Sequence, residues 1–552
     1  MCFGICGHQS DEWNDLKCSG KEVKHWLPWT FECSGIELHL TGASTFMTAK
    51  VLMVQGTSSY AGKSLLVTAL CRIFARHGVR VAPFKAQNMS NNAAVCLDGG
   101  EIGRAQALQA TAARVEPTVD MNPVLIKPEA DARSQVVVLG HPWRSTSAGN
   151  YYRNKAFLWN HVTGALDRLR AAYDLIVIEG AGSPVELNLR QGDIVNMAIA
   201  LHARSPVLLI GDIDRGGIFA QLLGTLWLLE PDERAMVQGL VVNKFRGDMS
   251  LFSDGVSILE EKGEVPVLGV IPFVRNLYLP DEDAVAIENN TSSEEASTRA
   301  VDIAVIGLPH IANSDDLLPL RAELGVHVRH VAATRELGSP QAIIIPGTKT
   351  TIADLAWLRR NGLAKAIIDF ARRGGAVVGI CGGYQMLGET IQDPAHVESS
   401  EESAPGLGLL PVTTRFLAEK ATFQSTASIR GGDGWLSSLE GQTVHGYEIH
   451  MGETRGSDAW LDISSRNGQP VRVADGAVGA GGRVWGCYLH GIFANDNVRQ
   501  AWLSNLDWQD ATNAASQDGL VDRSIELLSD VVEEALDMEQ LKKIIWGSKA
   551  PF

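Results

Sequence analysis

VLMVQGTSSYAGKSLLVTALCRIF, residues 51–74, decides the fold. Residues 51–54 are an apolar run that reads as a buried strand. Gly56 and Gly62 bracket a loop of small polar residues, and Lys63-Ser64 opens a stretch with helical apolar spacing. Strand, glycine loop and helix, in that order, make a phosphate cradle: backbone N–H groups near Gly62 face phosphate oxygens, and the helix N-terminus adds its positive dipole end. Lys63 is expected on the β- and γ-phosphates of a nucleotide, and the Ser64 hydroxyl on Mg²⁺. The spacing departs from G-x4-G-K-S, because Thr57 stands at the first glycine position and Gly56 precedes it. A plain glycine turn is the alternative; Lys-Ser with both flanking elements favours phosphate.

Working outward, 552 residues exceed one core, so two or three domains are expected. With 48 Lys+Arg against 64 Asp+Glu, the formal charge of −16 argues against a general nucleic-acid surface. It leaves nucleotide binding open, which needs only a local cradle. Apolar runs are too short for a membrane span, and 8 cysteines in this length do not make a disulfide scaffold. A soluble, reducing, cytoplasmic setting is expected. Cys2, Cys6, Cys18 and Cys33 crowd the first 46 residues with His8, His25, Trp13, Trp26 and Trp29, but paired C-x2-C knuckles are missing. Met47 stands just before the first strand, so residues 1–46 read as a disordered extension from an earlier start codon.

From residue 50 to about 274, short apolar runs alternate with longer helical ones, the signature of a parallel sheet flanked by helices. The runs are 51–54, 79–82, 175–178, 207–210, 240–242 and 267–271. Sites in such sheets lie at the carboxyl ends of strands. After the second run come Lys85, Gln87, Asn88, Ser90 and Asn91, a donor and acceptor cluster suited to an amide- and carboxylate-bearing ligand. After the third comes Glu179, a carboxylate in the right place for Mg²⁺. Asp212, Asp214 and Arg215 follow the fourth run and suit a metal, a substrate or a salt-bridged turn. Asn243 and Lys244, after the fifth, suggest recognition of a nucleotide base.

Residues 281–299 are acidic and Ser/Thr/Asn-rich, a linker; residues 393–405 read as a loop insertion. Between them the alternation restarts with 301–306, 326–331, 342–345 and 376–380. Gly379-Ile380-Cys381-Gly382-Gly383 then forms a nucleophile elbow with Cys in place of Ser, and the helix behind it favours the thiolate. His490 is the expected base, with His450 as its rival. Gly347 and Thr348, with Gly382 and Gly383, are candidates for the oxyanion hole and glutamine pocket. Residues 520–545 read as a packing helix.

With both sites in view, the chain resembles the cobyric acid synthases, glutamine-dependent amidases of cobalamin biosynthesis. The resemblance runs from about residue 48 to about residue 506. It is carried by GTSSYAGKS, FKAQNMSNN, the stretches 101–106 and 121–128, EGAGSPVELNL, GDIDRGG, NKFRGD, GICGGYQML, YEIHMG and YLHGIF. It implies an α/β protein with a P-loop domain like dethiobiotin synthetase, joined to a class I, flavodoxin-like glutamine amidotransferase domain. The implied boundaries are 47–280 for the ATP- and corrinoid-binding half, 300–510 for the amidotransferase half and 511–552 for a helical tail. ATP, Mg²⁺ and L-glutamine are the implied cofactors and co-substrates.

The implied reaction amidates the b, d, e and g carboxylates of adenosylcobyrinic acid a,c-diamide. Cys381 is the implied nucleophile and His490 its base. Ile492 stands where many relatives carry a triad Glu, which implies a Cys-His pair with a less firmly oriented imidazole. Gly56, Thr57, Gly62, Lys63, Ser64, Asn243 and Lys244 fall to ATP; Lys85, Gln87, Asn88 and Asn91 to the acceptor; Ser64 and Glu179 to the metal. The related synthetases also use an Asp metal ligand near the second loop, where this chain offers Asn and Ser. One alternative is cobyrinic acid a,c-diamide synthase, whose Gly-Pro-Asp-Tyr-type loop is replaced here by Gln87-Asn88-Met89-Ser90. The other is a regulatory P-loop ATPase carrying a non-catalytic amidotransferase-like half.

Overall fold

The computed structural model describes residues 48–129, 133–147, 154–280, 301–456, 459–509 and 517–548. The extension expected at 1–46 and the linker at 281–299 lie outside the described residues.

All six apolar runs of the first half become strands of one sheet, and every pairing is parallel. Their order is Val267–Pro272, Val237–Phe245, Val207–Asp212, Lys50–Gly56, Leu175–Glu179, Val81–Phe84. Helices cover both faces, which is why these strands are continuous aliphatic runs rather than alternating ones. The chain fills one side of Lys50–Gly56 before crossing to the other. The crevice at the carboxyl end of that central strand is therefore the topological switch point.

The segment between Phe84 and Lys155 departs from the simple alternation. It holds a small mixed sheet (Gln87–Met89, Val124–Pro128, Arg133–Val138, His141–Ser147), a hairpin (Ala93–Val95 with Glu101–Gly103) and the helix Arg104–Ala112.

The second half repeats the parallel plan. Its sheet runs Val326–Val331, Val301–Ile306, Ala342–Ile345, Ala376–Ile380, Val484–Cys487, with Ala477–Gly479 antiparallel at the edge. A further sheet is dominated by the antiparallel strands Thr413–Ile429 and Thr443–Arg455. The stretch expected as a loop insertion at 393–405 is more ordered than its composition suggested. Ser403–Pro405 pairs with Thr390–Gln392, and buried Asp393 accepts hydrogen bonds from the N–H groups of Val397, Glu398 and Ser399.

The tail forms two helices, Gln517–Ala535 and Met538–Trp546, rather than one. Asp537 stops the first and caps the second, accepting from Gln540 N at 2.9 Å. Both pack on the phosphate-loop helix Lys63–Arg76, where Leu66, Leu70 and Phe74 meet Ile525, Leu528 and Val532. Arg72, buried in that contact, pairs with Asp522 and Glu526.

The two halves meet through buried polar contacts. Glu101 of the first half is fully buried and pairs with its own Lys127 and with Lys420 of the second half. Burial opposes the Glu101 charge, but the two ammonium groups outweigh it and hold the carboxyl at about 2. Lys349 pairs with Glu129 at 2.9 Å, and Gln424 Nε2 donates to Val95 O at 2.8 Å.

Candidate functional site

The parallel register sets Glu179 opposite Val54, so its carboxylate stands beside the phosphate loop. Ser64 Oγ donates to Glu179 Oε1 at 2.8 Å, and Lys85 Nζ reaches the same oxygen at 2.8 Å. The other oxygen accepts from Gln109 Nε2 at 2.6 Å and Gln106 Nε2 at 3.5 Å. Lys63 Nζ donates to Ser58 O at 2.9 Å and Gly182 O at 3.2 Å, spanning the mouth of the loop. Gly62, at φ 102°, precedes the helix in a left-handed conformation that favours glycine.

Thr57 Oγ1 donates to Gln221 at 3.0 Å, bracing the loop from the side. Asn243 Nδ2 donates to Ala61 O at 2.9 Å, and Lys244 Nζ to Tyr60 O at 2.7 Å and Asp212 at 2.8 Å. With Gly62, Phe273, Leu528 and Val532 these two residues line a cavity of about 160 Å³, an apolar slot suited to a flat base. Asp212 also faces Arg215 and Asp214 pairs with Arg246, so the charged residues after the fourth strand make a salt-bridged turn.

The donor set at Ser64 and Glu179 fits Mg²⁺. Both supply hard oxygen at the phosphate loop, and Mg²⁺ takes one or two protein oxygens and completes its shell from phosphate and water.

The second centre is built on the strand Ala376–Ile380. Cys381, directly after it, has φ 51° and ψ −109°, a strained geometry that turns the side chain out of the sheet. The turn depends on its glycines: a Cβ on Gly383 would lie 2.0 Å from Ile345 O, and one on Gly379 2.6 Å from the Gly383 carbonyl carbon. A Cβ placed on Gly347 would sit 3.8 Å from Cys381 Cβ and 3.1 Å from His490 Cε1, so all three converge on one small space. Thr348 closes it, its N–H 3.1 Å from the point where a Cβ on Gly382 would stand. The Lys349 N–H is committed to His310 O at 3.0 Å.

His490 is buried, and its ring stacks on Tyr447 with centroids 5.0 Å apart. Nδ1 lies 2.7 Å from Asp316 Oδ2, while Asp316 Oδ1 accepts from Gly491 N at 2.6 Å. On the other side, Nε2 is 3.3 Å from Asn313 Nδ2. Burial works against the imidazolium, but Asp316 and then the Cys381 sulfur outweigh it and raise its pKa to about 10. His450 is held differently, between Gly452 O at 3.1 Å and Glu448 at 3.5 Å, with its ring stacked on Tyr488.

Cys381 and His490 line a cavity of about 60 Å³ together with Gln385 and Glu398, and with Asn91 and Lys127 from the first half. Asn91, grouped from sequence with the acceptor residues, thus stands at the cysteine centre instead, because the polar segment after the second strand leaves the sheet and reaches the second half. Its Oδ1 is buried without a hydrogen-bond partner. Glu398 accepts from Ile352 N at 3.1 Å, and burial lifts its carboxyl to about 7.

These two centres match two described domain families in order. Residues 52–284 match the CobQ/CobB/MinD/ParA nucleotide binding domain, and residues 302–498 the CobB/CobQ-like glutamine amidotransferase domain. A cobyric acid synthase of Chloroflexus aggregans is 54% identical over 501 residues, 90% of this chain and 99% of that one. The cobyric acid synthase of Roseiflexus castenholzii is 56% identical over 465 residues, 84% of this chain and 93% of its own. The chain belongs to the cobyric acid synthase family. It is a glutamine-dependent amidating ligase.

For this member of the cobyric acid synthase family, the expectation of a loosely oriented Cys-His pair is corrected. Ile492 is indeed buried and apolar, but Asp316 takes the orienting position from a different loop, after the strand Val301–Ile306. Sequence reasoning also missed Asn313, Gln106, Gln109 and Glu398. The one available signal for Asp316 was Ser314-Asp315-Asp316 in the connection that follows the parallel strand Val301–Ile306, on the side where sheet sites gather.

Asp316→Asn is expected to lower glutamine hydrolysis by about 10²-fold at neutral pH. The amide still meets Nδ1 but no longer supports the imidazolium. Its high-pH limb should move to lower pH, because the His490 pKa falls from about 10. The raised pKa also stabilises the fold, fully below 6.5 and progressively less as pH climbs toward about 10. Rate–pH profiles of both proteins check the shift; superimposable profiles would show that Asp316 does not set the imidazole.

Proposed function

We propose that the chain catalyses ATP- and glutamine-dependent amidation of the b, d, e and g carboxylates of adenosylcobyrinic acid a,c-diamide, giving adenosylcobyric acid. Residues 47–280 act as the synthetase half and 300–510 as the glutaminase half. The carrying observation is a shared boundary: Asn91 and Lys127 of the synthetase half line the cavity that holds Cys381 and His490.

In the glutaminase half the Cys381 thiolate attacks the side-chain amide carbon of glutamine. N–H groups around Thr348, Gly382 and Gly383 receive the oxyanion, and the imidazolium of His490 gives its proton to the departing ammonia. The γ-glutamyl thioester left on Cys381 is cleaved by water, whose proton returns to His490, releasing glutamate. Glu398 and the Asn91 Oδ1 offer acceptors for the α-ammonium of glutamine.

In the synthetase half an acceptor carboxylate oxygen attacks the γ-phosphorus of ATP, releasing ADP and leaving an acyl phosphate. Ammonia then attacks the acyl carbon, and phosphate leaves. Lys63 crosses the phosphates, Asn243 and Lys244 flank the base, and Lys85, Gln87 and Asn88 lie toward the acceptor. Ser64 and Glu179 would hold Mg²⁺, which when bound neutralises charge on the phosphates.

Free ammonia protonates in water, so a sheltered passage is needed. The buried contacts His490–Asn313, Asn313–Ala93 and Asn92–Arg104 link the cysteine centre to the helix whose Gln106 donates to Glu179, so the two centres share one packed boundary. A cytoplasmic setting suits these substrates; among the described residues no helix is long and apolar enough to cross a membrane.

Mass spectrometry of the corrinoid after incubation with ATP and glutamine tests the assignment. The expected product carries amides at b, d, e and g. Product confined to positions a and c of unamidated cobyrinic acid would replace this reading with the a,c-diamide activity.

A further inference from the structure

We infer that Arg104, a residue of the synthetase half, is a positioning residue for the glutaminase centre, and that the helix it opens ties that centre to Glu179. The inference rests on the proposed roles of Cys381, His490 and Asp316.

Arg104 is anchored on both sides of the boundary. Its guanidinium lies 3.0 Å from Asp315 of the other half and donates to Ala93 O at 2.9 Å within its own. Its Cζ also sits 4.9 Å from the centre of the Tyr447 ring. Each contact continues to the same imidazole. Asp315 precedes Asp316, which holds His490 Nδ1; Tyr447 stacks on the His490 ring and exchanges backbone hydrogen bonds with it; Ala93 N donates to Asn313, which faces Nε2. One cation from the first half therefore braces the edge, the face and the far nitrogen of the base.

The opposite end of the connection is equally specific. Arg104 is the first residue of the helix Arg104–Ala112, and Gln106 and Gln109 of that helix donate to Glu179. Both amides are fully buried, so they have no water to turn to. Oε1 of the same carboxylate faces Ser64 at the phosphate loop while Oε2 carries both amides, so a ligand that moves Glu179 from the Ser64 side moves the acceptor of the helix with it. The two states then differ in contacts at one end of a short rigid element, which is what a ligand needs in order to bias the other end.

Arg104→Met tests this, since it keeps bulk and removes charge. Glutamine hydrolysis is measured without ATP, then with ATP and the corrinoid acceptor, beside amidation supported by ammonium chloride. The parent should hydrolyse glutamine about tenfold faster with both ligands present. In Arg104→Met the unstimulated kcat should fall about tenfold, KM for glutamine should hold, the stimulation should vanish, and ammonium-supported amidation should be retained. Asp315→Asn approaches the contact from the other half and covers the case in which Arg104→Met does not fold. The double variant should lose no more than either single one.

Equal losses with glutamine and ammonium would reduce Arg104 to interface packing and overturn the inference. Parent-like hydrolysis and stimulation in both variants would overturn it too, as would a parent indifferent to ATP and acceptor. Failure of the underlying reading looks different: Cys381→Ser would still hydrolyse glutamine.

Discussion

Cys381→Ser is expected to lose glutamine-supported amidation by about 10⁵-fold and to keep amidation supported by ammonium chloride. The size of the loss follows from what the elbow is built for. Cys381 is held at φ 51° by glycines that leave no room for a Cβ, and that strain is tolerated only to present one sulfur atom to one imidazole. The imidazole suits a thiolate: against burial, Asp316 and the Cys381 sulfur raise its pKa, which favours the protonated ring that can stabilise an anion and later supply a proton. A serine hydroxyl is far too weak an acid to ionise beside an imidazolium, and this His490 is a poor base for it. Initial rates with each nitrogen source read the result directly. Retained glutamine turnover would remove Cys381 from the chemistry.

Glu179→Gln should lower product formation by about 10³-fold with either nitrogen source, together with ADP release. Glu179 is the one carboxylate that Ser64, Lys85, Gln106 and Gln109 all address, and it is buried. A neutral amide weakens the charge pairing of buried Lys85 and removes the anionic oxygen that suits Mg²⁺. The pattern separates the two centres, since Cys381→Ser spares ammonium-supported synthesis and Glu179→Gln does not. Unchanged ADP release in Glu179→Gln would show that this carboxylate plays no part in phosphoryl transfer.

Much of the framework was legible before any coordinates. Strands buried on both faces are continuous aliphatic runs, and such runs are visible at 51–54, 175–178 and 376–380 without knowledge of their neighbours. The glycine-bound ends of two of them exposed Lys63 and Cys381. What stayed hidden depends on partners far along the chain. The strand Gln87–Met89 is short and polar, and it exists because Val124–Pro128 pairs with it. Asp316 is 174 residues before the histidine it orients, and adjacent aspartates in a loop look like solvent-facing charge. Asn91 was misplaced for a related reason. Its neighbour Lys85 pairs with Glu179 and Asn88 donates to Gln106, but the chain then crosses to the other half at Asn92 and Ala93.

The tail carries a consequence for how the molecule is made. The helix Lys63–Arg76 has its apolar face covered by Leu528, Val532 and Trp546, and its Arg72 pairs with a residue 454 positions further along the chain. During synthesis that face waits uncapped while the intervening polypeptide is translated, a sticky intermediate of the kind chaperones attend. Nucleotide competence thereby waits on these distant helices: a nascent chain halted before residue 517 could finish its cysteine centre yet lack one wall of the slot beside the phosphate loop.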